Sequence, residues 1–122
     1  MKTTLWAAAL LVLGTVAADD ISEEDPCGDP QTTHEMRRCA EHRLETADRE
    51  LNRLYSLLVA KLDGDRKEKL VAAQRAWIAY RDKKAAYEAS IMEGGTMELV
   101  LYTASQASTT RERIKDLERY LE

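Results

Sequence analysis

The chain has 122 residues, 33% of them charged, and a formal net charge of −4. This length supports one domain, and the acidic balance argues against a general nucleic-acid binder, which needs a basic face to displace counterions from phosphates. Five Gly, two Pro and no Phe, with abundant Ala, Leu, Glu and Arg, favour an all-α fold over a β-sandwich or a barrel.

Residues 1–18 have the pattern of a secretory signal peptide. Lys2 provides a positive start, residues 5–13 are apolar, and small side chains occupy positions 16–18. We predict cleavage after Ala18. The apolar stretch is shorter than the roughly 20 residues that span a bilayer, so we expect a periplasmic or secreted protein with no membrane anchor after processing.

Residues 19–31 form an acidic lead-in to the helical part of the chain. Both prolines and Gly28 lie in it, which predicts an irregular segment. Its six carboxylates either keep this segment solvated or steer the protein towards a cationic partner.

The chain's two cysteines allow one intramolecular disulfide. In an oxidising compartment we expect Cys27 to pair with Cys39 and to pin the lead-in to the first helix. A zinc site that adds His34 and His42 is the alternative, and a copper site with Met36 and the same histidines is a lesser one. Because the spacing lacks the usual close cysteine pair, we expect no metal and no other cofactor.

Three long amphipathic helices follow, at about residues 32–62, 66–92 and 96–121. Thr32 stands three residues before Glu35, the spacing of a capping box, and glycines separate the helices at 64 and at 94–95. Apolar or small residues recur every three or four positions. On the first helix these are Met36, Ala40, Leu44, Ala47, Leu51, Leu54, Leu58 and Leu62. On the second they are Leu70, Ala73, Trp77, Tyr80, Tyr87 and Ile91. On the third they are Met97, Val100, Leu101, Ala104, Ala107, Ile114, Leu117 and Leu121.

Short connections between long helices make neighbouring helices antiparallel, so we predict an up-down-up three-helix bundle. The register of the first hairpin places Leu51 opposite Trp77 and Asp48 near Arg81. We expect Trp77 and Tyr80 in the core, and a bidentate Asp48–Arg81 pair that fixes the register of the first two helices.

Two sequence motifs are distinctive: ADRELNRLY at 47–55 and AQRAWIAYRD at 73–82. Cys27, Thr33, Met36 and Cys39 precede them, and Gly94–Gly95 and Thr110–Arg111 follow. Over residues 27–120 the chain resembles the LprI-type lysozyme-inhibitor family of small exported bacterial helical proteins. The motif residues singled out are Asp48, Leu51, Asn52, Tyr55, Gln74, Arg75, Trp77, Tyr80, Arg81, Asp82, Thr110 and Arg111. We interpret them as structural, with a binding surface of Gln74, Arg75, Arg81 and Asp82 as the alternative.

The chain departs from this family in one informative way. Many relatives carry a second cysteine pair, at positions that are Ala85 and Ser105 here. The register of the second hairpin places these two positions opposite each other, as a bridge in the relatives would require. The cysteine that anchors lipoprotein relatives is also missing, so we expect no lipid tether.

No arrangement of a nucleophile with a base, or of paired carboxylates in a cleft, indicates an enzyme. The resemblance implies a protein that binds a basic muramidase and blocks its cleft. The turn Glu93-Gly94-Gly95-Thr96 and the acidic lead-in are the candidate contacts. The alternative is a periplasmic structural or interaction module with another protein partner and no lysozyme inhibition. The sequence leaves the oligomeric state open.

Overall fold

The computed structural model describes residues 25–122; the predicted signal peptide and the first part of the lead-in lie outside the described residues. The described chain forms three α-helices, and a short 3-10 turn at Ser90–Met92 continues the second. The helices are α1 (Thr33–Lys61), α2 (Gly64–Ala89) and α3 (Glu98–Leu121). Residues 25–122 contain no strand, and the predicted all-α class is confirmed. None of these three helices has the length and apolar character needed to cross a bilayer.

α1 begins at the predicted capping box. The Glu35 N–H donates to Thr32 Oγ1 at 3.1 Å, and the Thr32 N–H donates to Glu35 Oε2 at 3.2 Å. The Gln31 N–H also donates to this carboxylate, at 2.6 Å. The hydrogen bonds from the backbone of Gln31 and Thr32 lower the pKa of Glu35. This end of α1 is therefore held by interactions with the segment that precedes it.

The core lies where α1, α2 and α3 meet near the end of α1. Its fully buried part consists of Leu51, Leu54 and Leu58 on α1 and Leu117 on α3. The partly buried Trp77 of α2 packs against this cluster, so Leu51 and Trp77 lie in one cluster as the register predicts. Every apolar position predicted on α1 is buried or half-buried, and the predicted stripe of this helix is confirmed.

The predicted apolar stripe of the second helix is largely wrong. Tyr80, Tyr87 and Ile91 are 57%, 80% and 81% exposed, and Ala73 is also exposed. The residues that α2 buries are Gln74, Ala85 and Ala89. Small alanines allow close approach of α3, whereas tyrosines at the same positions would hold the two helices apart.

α3 packs most closely on α1 and next on α2, whereas α1 and α2 approach each other less closely. Contacts run in opposite order along α2 and α3, because Gln74 meets Arg113 and Asp82 meets Gln106. This order is compatible with the up-down-up arrangement. Ala104, which was predicted to face the core, is exposed. α3 instead buries four polar residues between its neighbours: Thr103, Ser105, Thr109 and Thr110.

Candidate functional site

A polar network beside Trp77 joins α1 to α2. The Arg81 guanidinium donates from Nη1 to Asp48 Oδ1 at 3.3 Å and from Nε to Asp82 Oδ1 at 2.9 Å. The guanidinium carbon lies 5.3 Å from the centre of the Trp77 ring, within the range of a cation–π contact. The predicted Asp48–Arg81 pair is present. It is not bidentate, because Arg81 divides its donors between Asp48 and Asp82.

The network continues from α2 to α3 through Asp82. Gln106 Nε2 donates to Asp82 Oδ1 at 2.9 Å. Burial raises the pKa of the Asp82 carboxyl, but the hydrogen bonds from Gln106 and Arg81 outweigh it and hold this pKa below its usual value. Asp82 is therefore an ionised link between two helices at neutral pH.

Two further polar contacts between α2 and α3 were not predicted from the sequence. Arg113 Nε donates to Gln74 Oε1 at 3.1 Å, and Lys84 Nζ donates to Thr109 Oγ1 at 3.1 Å. The Arg113 side chain is only 10% exposed. The sequence contains a signal for such contacts, because the polar residues 106, 110 and 113 recur at helical spacing and so share one face of α3.

The remaining motif residues are spread over different parts of the fold. Tyr55 is half-buried against the core, and the Thr110 hydroxyl donates to the Gln106 carbonyl at 2.7 Å. Asn52, Arg75 and Arg111 are exposed. Because Gln74 is buried and Arg75 is exposed, the residues of the alternative binding surface do not form one continuous surface. The 73–82 motif mainly contributes side chains to the network between the helices.

The predicted disulfide is confirmed. Cys27 and Cys39 are bonded to each other, with their Cα atoms 4.7 Å apart. A zinc site with His34 and His42 is therefore wrong, because both thiols that it requires are oxidised. Among residues 25–122, no group of three or more His, Cys, Asp or Glu side chains is placed to hold a metal ion.

A shallow groove of about 400 Å³ lies between α1 and α3 beside the disulfide. Cys27, His42, Arg43 and Arg111 are among the residues that line it. His42 and both arginines are exposed, so solvent screens their charges. Asp25 and Glu50 line the groove as well and balance the two arginines, so the groove is an open surface of mixed charge rather than a water-excluded site for chemistry.

The connection between α2 and α3 forms a projecting turn, residues 91–99, which we call the hairpin tip. The Gly94 N–H donates to Glu98 Oε2 at 2.9 Å, and the Gly95 N–H donates to the Met92 carbonyl at 2.9 Å. Gly94 has φ +77°, a left-handed conformation that favours glycine. The four turn residues predicted as a contact, Glu93 to Thr96, are all exposed. Three large apolar side chains beside them are exposed as well: Ile91, Met92 and Leu99.

Comparison with known proteins gives a relative that covers the whole chain. The "Uncharacterized protein R02472" of Rhizobium meliloti (strain 1021) is 31% identical over 135 residues, an alignment that covers 100% of this chain and 97% of the relative. No solved structure matches the chain significantly. A family model described as "Lysozyme inhibitor LprI" matches residues 25–117, a range that includes the disulfide, the polar network and the hairpin tip. The chain therefore belongs to the LprI lysozyme inhibitor family.

Proposed function

We propose that this protein binds a basic lysozyme-type muramidase through the hairpin tip and blocks the substrate cleft of that enzyme sterically. The observation that carries the proposal is the tip itself, where Ile91, Met92 and Leu99 are exposed around a turn fixed by hydrogen bonds from backbone N–H groups. Exposed apolar side chains on an ordered turn are the kind of feature that anchors a protein interface. Family membership supports lysozyme as the partner.

The charge of the protein supports a basic partner. The net charge is −4, and Glu93 and Glu98 lie at the tip among the apolar residues. An acidic protein and a basic enzyme attract each other over long range, which raises the association rate. Gly94 and Gly95 carry no side chains, which keeps the end of the turn narrow. Blocking a cleft requires no catalytic group, and the proposed function is not enzymatic.

The proposal includes export to an oxidising compartment. The Cys27–Cys39 disulfide supports it, because such bonds persist outside the reducing cytosol. The signal-peptide pattern of residues 1–18 supports it as well. An extracytoplasmic muramidase would meet the protein there.

A cell-lysis assay with several lysozyme classes tests the proposal. The variant Met92→Ser/Leu99→Ser removes two anchors from the tip, and we expect it to need at least about tenfold more protein for half-inhibition, the equivalent of about 1.4 kcal/mol. Leu57→Ser is a matched control, because Leu57 on α1 and Leu99 are both 44% exposed. This control should inhibit like the unmodified protein.

The alternative function is an interaction module that binds another periplasmic protein. It is favoured by the way the 73–82 motif is used, because Arg81 and Asp82 bond other helices rather than face a partner. Absence of inhibition at micromolar excess against every lysozyme class would refute the first proposal and leave this alternative. Inhibition that the tip variant retains would refute the tip as the contact.

A further inference from the structure

The outward side of α2 carries a continuous stripe of exposed residues. Its members recur every three or four positions, and we call them the outer face of α2. They are Lys69, Ala73, Ala76, Tyr80, Lys83 and Tyr87. At 1.5 Å per residue the stripe is about 27 Å long. α2 turns its buried residues towards α3 instead, so within the described chain this face has no helix packed on it.

The outer face carries two lysines and no acidic side chain, although the protein is acidic. α2 has seven basic and four acidic side chains, whereas the whole chain has 18 and 22. None of the six positions of the face is acidic. Asp82 is bonded to Gln106 and Arg81, and Glu88 forms an ion pair with Lys84. Two exposed acidic side chains lie at one end of the face: Glu68 is next to Lys69 in sequence, and Asp65 pairs with Lys69 at 2.8 Å.

The two tyrosines give the face an amphipathic character. Tyr80 and Tyr87 are 57% and 80% exposed, which leaves large aromatic surface in water. A tyrosine has an apolar ring and a polar hydroxyl, and it is favoured at the boundary between water and the apolar part of a membrane. Ala73 and Ala76 are small, so the helix backbone is able to approach a flat surface closely.

We propose that the outer face of α2 binds an anionic phospholipid surface, with the helix axis parallel to that surface. The lysines lie against headgroup phosphates, and the tyrosine rings enter the headgroup layer. A soluble polyanion fits less well, because two lysines offer few phosphate contacts and the tyrosine rings stay in water. A basic muramidase is repelled by this face, so the outer face and the hairpin tip serve different partners.

Sedimentation with lipid vesicles tests the proposal. The protein used in this experiment starts at residue 19, so that the apolar residues 5–13 do not contribute to vesicle binding. We expect partitioning onto vesicles of phosphatidylglycerol and phosphatidylethanolamine, weaker binding at high salt, and little binding to phosphatidylcholine alone. Each basic residue near such a surface contributes about fivefold, and Asp65 offsets part of the charge of Lys69, so Lys69→Gln/Lys83→Gln should lower the partition coefficient by about 5- to 25-fold. Tyr80→Ser/Tyr87→Ser should lower it several-fold.

Matched variants separate the face from general charge and stability effects. Arg43→Gln/Arg49→Gln makes the same charge change at exposed positions of α1, and Tyr120→Ser removes a tyrosine that is 53% exposed on α3. These controls should keep the partition coefficient within about twofold, and circular dichroism should show equal helix content in all variants.

Three outcomes would overturn the proposal. One is no binding to anionic vesicles, or equal binding to neutral ones. Another is an equal loss in the control variants. The third is a dimer in sedimentation velocity that Tyr80→Ser/Tyr87→Ser abolishes while vesicles bind nothing, which would assign the face to a second copy of the chain. The tip variant Met92→Ser/Leu99→Ser should bind vesicles normally, whatever the outcome of the lysis assay.

Discussion

Ala85 on α2 and Ser105 on α3 offer a place for a second disulfide. Ala85 is fully buried and Ser105 is 7% exposed. The hydrogen bond between Asp82 and Gln106 holds the two helices together close by, because Asp82 lies about one turn from Ala85 and Gln106 is next to Ser105. Ser105 Oγ is buried and has no hydrogen-bond partner among the described residues. We therefore expect Ala85→Cys/Ser105→Cys to form a bridge that replaces an unpaired hydroxyl.

The magnitude follows from loop length and from the buried hydroxyl. The bridge closes a loop of about 21 residues, which corresponds to about 3 kcal/mol of stabilisation in the chain-entropy description. Removing a buried hydroxyl that lacks a partner contributes about 1 kcal/mol more. In a domain of this size each kcal/mol raises Tm by about 4–8 °C. The oxidised double variant should therefore melt at least about 16 °C higher, and Ser105→Ala alone about 4–8 °C higher.

Thermal denaturation followed by circular dichroism measures both effects, and thiol titration of the denatured protein counts the bridges. The single variant separates the contribution of the hydroxyl from that of the bridge. Two free thiols after oxidation would show that the positions are not opposite each other. A bridge that forms while Tm falls would show that the packing of α2 on α3 has been misjudged.

Three further predictions concern the parts of the fold that hold it together. Cys27→Ser/Cys39→Ser should lower the free energy of unfolding by about 3 kcal/mol, because the native bridge also closes a loop. Urea denaturation measures this loss, and an unchanged midpoint would contradict the prediction. Leu117→Ala should cost about 2–5 kcal/mol, since Leu117 is fully buried, whereas Leu57→Ala should stay within about 0.5 kcal/mol of the unmodified protein. The folded-state pKa of Asp82 is lowered, so its stabilising effect is present above the unfolded pKa of about 3.9 and is lost as pH falls through the folded value. Asp82→Asn should therefore lower the free energy of unfolding at pH 7, with a difference that shrinks below about pH 4; a constant difference from pH 7 to pH 3 would refute the assignment.

The first helix could be predicted in full because its inward positions are aliphatic. Leu51, Leu54 and Leu58 follow a regular spacing, and hydropathy alone identifies their face. The Cys27–Cys39 bond was equally predictable, because two cysteines allow one intramolecular pair. In these cases one local property decides the outcome.

The second helix could not be predicted by hydropathy because its inward face is polar and its outward face is aromatic. Gln74 and Arg81 face the bundle because each finds a hydrogen-bond partner on another helix, which offsets the cost of burying it. Those partners are 39 and 33 residues away in sequence, so no local window contains them. The turn Glu93–Thr96 was predicted as a contact, but the exposure of Ile91 was not, because Ile91 has the hydropathy of a core residue and is exposed where α2 ends.

The position of α3 against both other helices has a consequence for the newly made chain. Leu51, Leu54 and Leu58 emerge from the ribosome well before Leu117, which follows Leu58 by about 60 residues, or roughly 3–12 s of synthesis. During that interval the apolar stripe of α1 lacks its main packing partner, and contacts between segments so distant in sequence form slowly. The hydrophobic core is therefore completed only when almost the whole chain has been synthesised.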